Sequence, residues 1–502
     1  MNRIIKRTKE SKKSKKRYGH ILLVQFPSER LEARRAPLGI GYLAAALKKA
    51  GIDYDVLDMS FSDYNLGHLK KKIKEFKPDL IGASLFTLMY KRHYEWIKEL
   101  KTMNLGFDVI CGGSHISAVK EKALKECDEI DYGCVNEGEE TLIELCQGKP
   151  IPNIKGLIHR HEGKIVYNGD RNFIKDLDGV SFPTFEKFEL KKYLQKEIPL
   201  FTSRGCPFRC IFCSVRQVMG RLFRARTPKN VVDEIEYWVK RGYRQFTIVD
   251  DNFTFNAKRV LDICDEIERR SLGYLEFRVN NGVRADRLTK KMLIRMRDVG
   301  FRYIQITVDG GNNKVLKSLH KDENIETIIK AIRMASEAGL EVNTNFVIGA
   351  PEETWEDVKD SLRLALRLPV FSVVFYNLIP TPNTELFNWV KKNNYFIVKP
   401  EVFLNDISYY YRKPVFETPL LSAKERLKVS KIHLAIRRRL TRRMVERRLK
   451  RYGPLAKIIS IIITTNFFRE LFYTNRSFRR SVDSIRIVFQ RREDKRRKRG
   501  LV

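Results

Sequence analysis

The chain has 502 residues, is 43% hydrophobic and carries a formal charge of +36 at pH 7. That length suits about three domains with sizeable cores, and no apolar stretch reaches the roughly 18 residues that a membrane-spanning helix requires. The charge is concentrated at the ends, with nine Lys/Arg against one acid in Met1–His20 and 26 against six in Leu421–Val502. This excludes a nucleic-acid binder with basicity spread over its whole surface.

Residues 1–19 read as a solvated, disordered basic arm. The arm lacks the apolar segment and cleavage site of a secretory signal. Eight cysteines in a chain of this size do not make a disulfide framework, so a reducing cytoplasm is the expected setting. From His20, short apolar runs alternate with helical periodicity. Strands are predicted at His20–Phe26, Tyr54–Met59, Asp79–Phe86, Phe107–Cys111 and Tyr132–Val135. Helices are predicted at Pro37–Ala50, Leu66–Phe76, Tyr90–Asn104, Ala118–Glu126 and Glu139–Cys146. The alternation predicts an α/β domain over 20–148, a doubly wound parallel sheet. Ligands of such sheets lie outside the carboxyl ends of the strands. Those ends carry Ser84 and Thr87, then Gly112-Gly113-Ser114-His115, then Glu137-Gly138-Glu139. By spacing alone they are ordinary strand-to-helix turns.

Residues 149–198 form a turn-rich linker containing a small β-hairpin, KGLIHRHEGKIVYNG. Six further strands follow over 199–392, at Leu200–Thr202, Arg244–Val249, Leu275–Asn280, Tyr303–Val308, Val342–Ile348 and Phe371–Leu378, with helices between them. Six fall short of the eight that close a (β/α) barrel. Their carboxyl ends carry Asp250-Asp251-Asn252, Asn281-Gly282, Asp309-Gly310-Gly311, Gly349-Ala350-Pro351 and Pro380-Thr381-Pro382.

The first of these strands runs into TSRGCPFRCIFCS, which places Cys206, Cys210 and Cys213 in a Cys-x3-Cys-x2-Cys array. Three thiolates on one loop can converge on a soft metal centre. A 4Fe–4S cluster takes four cysteine ligands, so three leave one iron open. A disulfide pair, structural zinc or buried core thiols are the alternatives. Zinc would want a fourth ligand nearby, and no His or Cys follows Cys213 until Cys264.

With the aromatic Phe212 before its last cysteine, this array resembles the signature of radical S-adenosylmethionine (SAM) enzymes. In that family the open iron chelates SAM, and reductive cleavage gives a 5′-deoxyadenosyl radical that abstracts hydrogen from substrate. The resemblance implies an open six-strand, TIM-like partial barrel and an electron donor such as flavodoxin or ferredoxin. It places Phe212, Asp250, Asn252, Asp309, Gly310, Val347 and Gly349 around SAM. Asp309 shortens by one carbon the Glu expected at that strand end. For Asp250 and Asp251, capping of the next helix is an equal alternative.

The stretches APLGIGYLAAAL, PDLIGAS, CGGSHIS and VNEGEETL resemble the cobalamin-binding domain fused to many radical SAM enzymes. That likeness implies cobalamin held by Leu38, Gly39, Ser84, Thr87, Gly112, Gly113, His115, Glu137, Gly138 and Glu139. Cobalamin domains with a histidine on cobalt carry Asp-x-His-x-x-Gly after the first strand, and Pro27–Gly39 contains no histidine. Cobalamin is therefore expected without protein histidine on cobalt, with His115 along the nucleotide tail or corrin edge. Methylation of an unactivated carbon is the leading outcome, with a cyclase or oxidase or an RNA-modifying methylthiotransferase as alternatives. Methylthiotransferases carry a second cysteine triad, which Cys111, Cys127, Cys134 and Cys146 do not form.

Residues 393–502 read as a helical, basic C-terminal region. Ser422–Lys450 is a helical run rich in arginine, and Ile458–Phe468 is apolar. Basic amphipathic segments of this kind lie in anionic membrane interfaces, and docking on the barrel's open side is an equal alternative. The apolar area favours peripheral membrane contact over nucleic acid, and with it a small-molecule or lipid-like substrate.

Overall fold

The computed structural model describes residues 16–27, 35–193, 196–410, 413–475, 477–479 and 481–482. Residues 1–15 of the basic arm and the terminal RREDKRRKRG lie outside the described residues.

Five parallel strands build the first sheet: β1 (His20–Gln25), β2 (Asp53–Asp58), β3 (Leu80–Ser84), β4 (Asp108–Gly112) and β5 (Tyr132–Cys134). They run in the order β2-β1-β3-β4-β5. Ile21, Leu22, Leu23 and Val24 are all fully buried, because helices cover both faces of a parallel sheet and leave no side for polar alternation. The predicted hairpin forms as β6 (Leu157–His161) and β7 (Lys164–Tyr167), but it is not a free linker element. It pairs antiparallel to β5 and extends the sheet to seven strands. Leu157 and Ile158 are fully buried there, and the hairpin covers the β5 edge that would otherwise be open.

The second sheet is parallel and six-stranded, in the order β15-β14-β13-β12-β11-β8. Its members are β8 (Ile198–Leu200), β11 (Gln245–Ile248), β12 (Glu276–Val283), β13 (Phe301–Asp309), β14 (Glu341–Ile348) and β15 (Ser372–Asn377). Among the described residues β8 and β15 do not pair, so the barrel is open as the sequence predicts. Between β8 and β11 the chain makes a short antiparallel ribbon, β9 (Ser203–Arg204) with β10 (Arg224–Ala225). The helix between β10 and β11, Pro228–Lys240, starts at a side-chain cap: Thr227 accepts from Asn230 N–H, with Pro228 at the first helical position.

The two faces of the barrel sheet differ. Phe246, Phe277, Phe301, Ile304 and Ile306 point outward into the helical layer. The alternate positions are polar: Thr247, Arg278, Asn280, Tyr303, Gln305, Thr307, Asn343 and Asn345. Period-2 alternation puts these on the inner face, so the lumen is polar.

The long helix Ala423–Arg448 begins at a Ser422–Glu425 capping box and packs against β15, the open edge of the barrel. The apolar run beyond it divides into helices Pro454–Ile463 and Asn466–Thr474. No helix of the described residues is long and apolar enough to cross a membrane.

Candidate active site

The cysteine loop is held from below by the strand after it. Asp250, 2% exposed, accepts from Thr202 N–H at 2.6 Å and from the Thr202 and Ser203 hydroxyls at 2.5 Å each. Asp251 accepts from Gly205 N–H at 2.8 Å, and burial raises its carboxyl to about 6. Gly205 has φ +86°, and a Cβ there would lie 2.3 Å from the Leu222 carbonyl oxygen, so glycine is required. The two aspartates therefore root the loop and do not cap the following helix, where Asn256 does so. Asn252, 2% exposed, places its amide against the Cys206 thiol.

Cys206, Cys210 and Cys213 are all part-exposed on this one loop, whereas the other five cysteines are buried. Burial in the protein pushes the Cys210 thiol to about 12 and Cys213 to about 11, and raises Cys206. Among the described residues no three His, Cys, Asp or Glu side chains gather closely enough to hold a metal ion. The three part-exposed thiols lie on one loop with the Asn252 amide beside Cys206, an arrangement that suits the ligands of a larger cluster.

At the end of β13, Asp309 has φ +64° and its carboxylate is already engaged. It accepts from Lys321 Nζ at 2.6 Å and from Asn345 Nδ2 at 3.2 Å. Lys321 is 1% exposed and also donates to the Thr307 carbonyl and hydroxyl. Asp309 thus ties Lys321 and Asn345 together at the carboxyl end of β13, with Cys210 nearby. Gly310 is packed on Val315, where a Cβ would come within 2.5 Å.

The end of β14 is staged from two sides. Glu353, fully buried, accepts from Gly349 N–H at 2.6 Å and Ala350 N–H at 3.0 Å. Burial raises that carboxyl to about 7. From the C-terminal helix, the fully buried Arg426 donates to Asn377 Oδ1 at 3.1 Å and to the Phe416 carbonyl at 2.6 Å. Its guanidinium lies against Gly349, where a Cβ would meet Cζ at 2.5 Å. Val347 is 7% exposed beside this turn, and Phe212 packs half-buried on the same apolar cluster.

At the first sheet, the strand ends form a partly open edge. Ser84, Thr87, Gly112 and Gly113 are half-buried there. Gly113, at φ +92°, approaches the Leu85 carbonyl too closely for any Cβ, which would lie at 2.7 Å. Gly39 is exposed with open space around it, and Leu38 is buried beneath. His115 departs from expectation. It is 2% exposed, stacks on Tyr90 at 4.5 Å between ring centroids and pairs with the Tyr94 hydroxyl at 2.8 Å. Burial pushes it down to about 3. The side chain faces these two tyrosines.

Glu137 and Glu139 also turn elsewhere. Glu137 Oε1 accepts from Arg204 at 2.7 Å and from Arg224 at 2.9 Å, its Oε2 accepts from Ile174 N–H at 2.7 Å, and Glu139 accepts from Arg204 at 2.9 Å. Arg204 and Arg224 face each other across the β9–β10 ribbon. This buried ion cluster fastens the carboxyl end of β5 to the root of the cysteine loop. It brings the two sets of strand ends together, which the sequence reading of Glu137-Gly138-Glu139 as ligand contacts did not anticipate. Gly138 packs on Cys134 and Leu43 within the same turn.

Tyr303, Gln305, Asn343, Asn345, Lys321, Glu353 and Arg426 were missed from the sequence. Four of them had a readable signal: polar residues alternate with apolar ones in β13 and β14, where a parallel strand buried on both faces would be apolar throughout.

Residues 200–365 match the model of the Radical SAM superfamily, and residues 30–146 match that of the B12 binding domain. An uncharacterized methyltransferase of Pyrococcus horikoshii is 29% identical over 74% of this chain and 83% of its own. The anaerobic magnesium-protoporphyrin IX monomethyl ester cyclase of Rubrivivax gelatinosus is 28% identical over 70% of this chain, which spans 65% of that relative's length. Among solved structures, the radical SAM methyltransferase TsrM of Kitasatospora setae, with cobalamin and a 4Fe–4S cluster bound, superposes with a TM-score of 0.65. It is 21% identical over 75% of each chain, a likeness of fold.

Proposed function

Since the chain belongs to the cobalamin-dependent radical SAM enzymes, we propose that it methylates an unactivated carbon of a small, lipid-like substrate held in the barrel lumen. The family's cofactors are SAM, a 4Fe–4S cluster and cobalamin. Bound together, these supply a radical that takes hydrogen from carbon and a methyl group to replace it. In this reading Cys206, Cys210 and Cys213 hold the cluster, and Asn252 lies against it. Glu353 fixes the Gly349–Ala350 turn beside SAM, while Gly39, Ser84, Thr87, Gly112 and Gly113 border cobalamin. Tyr303, Gln305, Asn343 and Asn345 orient the substrate. A flavodoxin or ferredoxin supplies electrons, and the protein works in the cytoplasm with reversible attachment at a membrane surface.

The observation that carries the reading is the Glu137–Arg204–Arg224 cluster, 3–5% exposed. It joins the first sheet's strand ends to the cysteine loop, so groups at both would address one substrate. The cyclase relative favours a second reading, in which the substrate radical closes a ring and takes no methyl group.

The test is anaerobic purification, with about four irons per chain expected and SAM cleaved to 5′-deoxyadenosine under reduction. The Cys206→Ala/Cys210→Ala/Cys213→Ala variant should lose both. Unchanged iron in that variant overturns the assignment. Labelled methyl from SAM absent from a product that has lost hydrogen selects the second reading.

A further inference from the structure

The helix Pro454–Ile463 is inverted relative to an ordinary surface helix. Its buried residues are the small Ala456 and Ser460, and Ser460 Oγ donates to Glu446 of the long helix at 2.8 Å. Its large side chains point away from the protein: Leu455 is 58% exposed, Ile458 52%, Ile459 38% and Ile462 52%. Their i, i+3, i+4, i+7 spacing puts them on one face, which Ile461 and the exposed Phe467 widen. A globular helix turns such a face to the core, and a contiguous exposed apolar patch marks an interaction surface.

The helices around the patch are basic. Lys431, Arg439, Arg447, Lys450 and Lys457 are exposed on the same helical unit. A groove of about 540 Å³ beside it is lined by Arg438, Arg439, Arg442 and Arg443, with Glu446 the one acid in its lining. Leu421–Val502 as a whole carries 26 basic residues against six acidic. RNA would match the charge but gain little from four aliphatic side chains. RNA-binding surfaces interleave aromatic rings with basic residues for base stacking, whereas this face is four aliphatic side chains with Phe467 at its margin. An anionic bilayer matches both features at once.

We propose that Pro454–Ile463 is a docking surface for anionic lipid, with Leu455, Ile458, Ile459 and Ile462 entering the headgroup–acyl boundary and the flanking arginines and lysines taking lipid phosphates. A ten-residue helix is too short to span, so attachment is peripheral and reversible. The inference rests on the lipid-facing part of the proposed function, but its test needs neither cluster nor cobalamin, so either can fail alone.

The full chain is sedimented with vesicles of phosphatidylcholine alone or with one third phosphatidylglycerol. It should pellet with the anionic vesicles only and be released by high salt. The Ile458→Ser/Ile462→Ser variant, altered only at exposed positions, should keep its melting temperature. Its partitioning should fall about tenfold or more, as expected when two part-inserted aliphatic side chains are withdrawn from lipid. Arg439→Gln/Lys457→Gln should weaken binding chiefly at low salt. Equal binding by the isoleucine variant, or equal binding to neutral vesicles, overturns the proposal. A dimer that becomes monomeric in that variant would instead assign the face to a second copy. Hydrogen-exchange protection of Ile458–Ile462 without vesicles, lost on deleting residues 483–502, would assign it to that segment. Loss of an RNA gel shift in the isoleucine variant would assign it to RNA.

Discussion

Replacing Glu137 with glutamine tests the joint between the two halves of the molecule. The side chains of Glu137 and Arg204 are each 5% exposed and that of Arg224 is 3%, so both guanidinium groups depend on protein for compensation. Removing one partner of a buried ion pair costs about 3–5 kcal/mol, because the other charge stays buried and uncompensated. Two contacts soften the loss here. Glu139 still accepts from Arg204 at 2.9 Å, and Arg224 still donates to the Ile174 and Met219 carbonyls at 2.7 and 3.0 Å. The lower end, about 3 kcal/mol, is therefore expected. For a unit of 150–250 residues each kcal/mol moves the melting temperature by about 2–4 °C, giving a fall of about 6–12 °C. Scanning calorimetry of the full chain at neutral pH reads this directly. Replacing the whole cluster, as Glu137→Leu/Arg204→Met/Arg224→Met, should recover most of the loss, since well-packed apolar groups often substitute for a buried ion cluster without penalty. A fall below about 2 °C in Glu137→Gln, or a triple variant no better than the single, would refute the reasoning.

Two further outcomes follow from the same structure. Cobalamin bound to the chain should give an electron paramagnetic resonance spectrum without histidine nitrogen on cobalt, unchanged in His115→Ala, because that ring is held by Tyr90 and Tyr94; a histidine signal that vanishes in the variant would show the loop refolds around the cofactor. Burial raises Glu353 from 4.5 to about 7. A carboxyl raised on folding stabilises the fold fully below its unfolded value and loses that contribution as pH rises through its folded value. Glu353→Gln should therefore flatten the decline in melting temperature between about pH 4.5 and 7, a difference of up to about 3 kcal/mol, and an unchanged pH profile would show that Glu353 is charged throughout.

The elements themselves were legible in the chain because their causes are local. The apolar runs of β1 to β5 and of the barrel strands alternate with helical periodicity. Thr227-Pro228 and Ser422–Glu425 carry their own capping chemistry, and Cys206, Cys210 and Cys213 lie within eight residues of sequence. A doubly wound sheet, six further βα strands and a three-cysteine loop after the first of them needed nothing more, and the family resemblance supplied the open barrel. Side-chain partners were a different matter. Glu137 meets Arg204 and Arg224 across 67 and 87 positions, and no local pattern says that a strand-end glutamate will meet arginines when glycines beside it suggest a ligand. Asp250 and Asp309, polar residues at the right strand ends, were taken up by Thr202 and Ser203 and by Lys321, since a buried carboxylate is bound by whatever donor the fold brings within reach. The direction of Pro454–Ile463 was decided in the same way. Its sequence is apolar on most sides, so periodicity could not say which side would pack. The small Ala456 and Ser460 allow close approach to the long helix, and that contact, made only in the tertiary structure, turned the isoleucines outward.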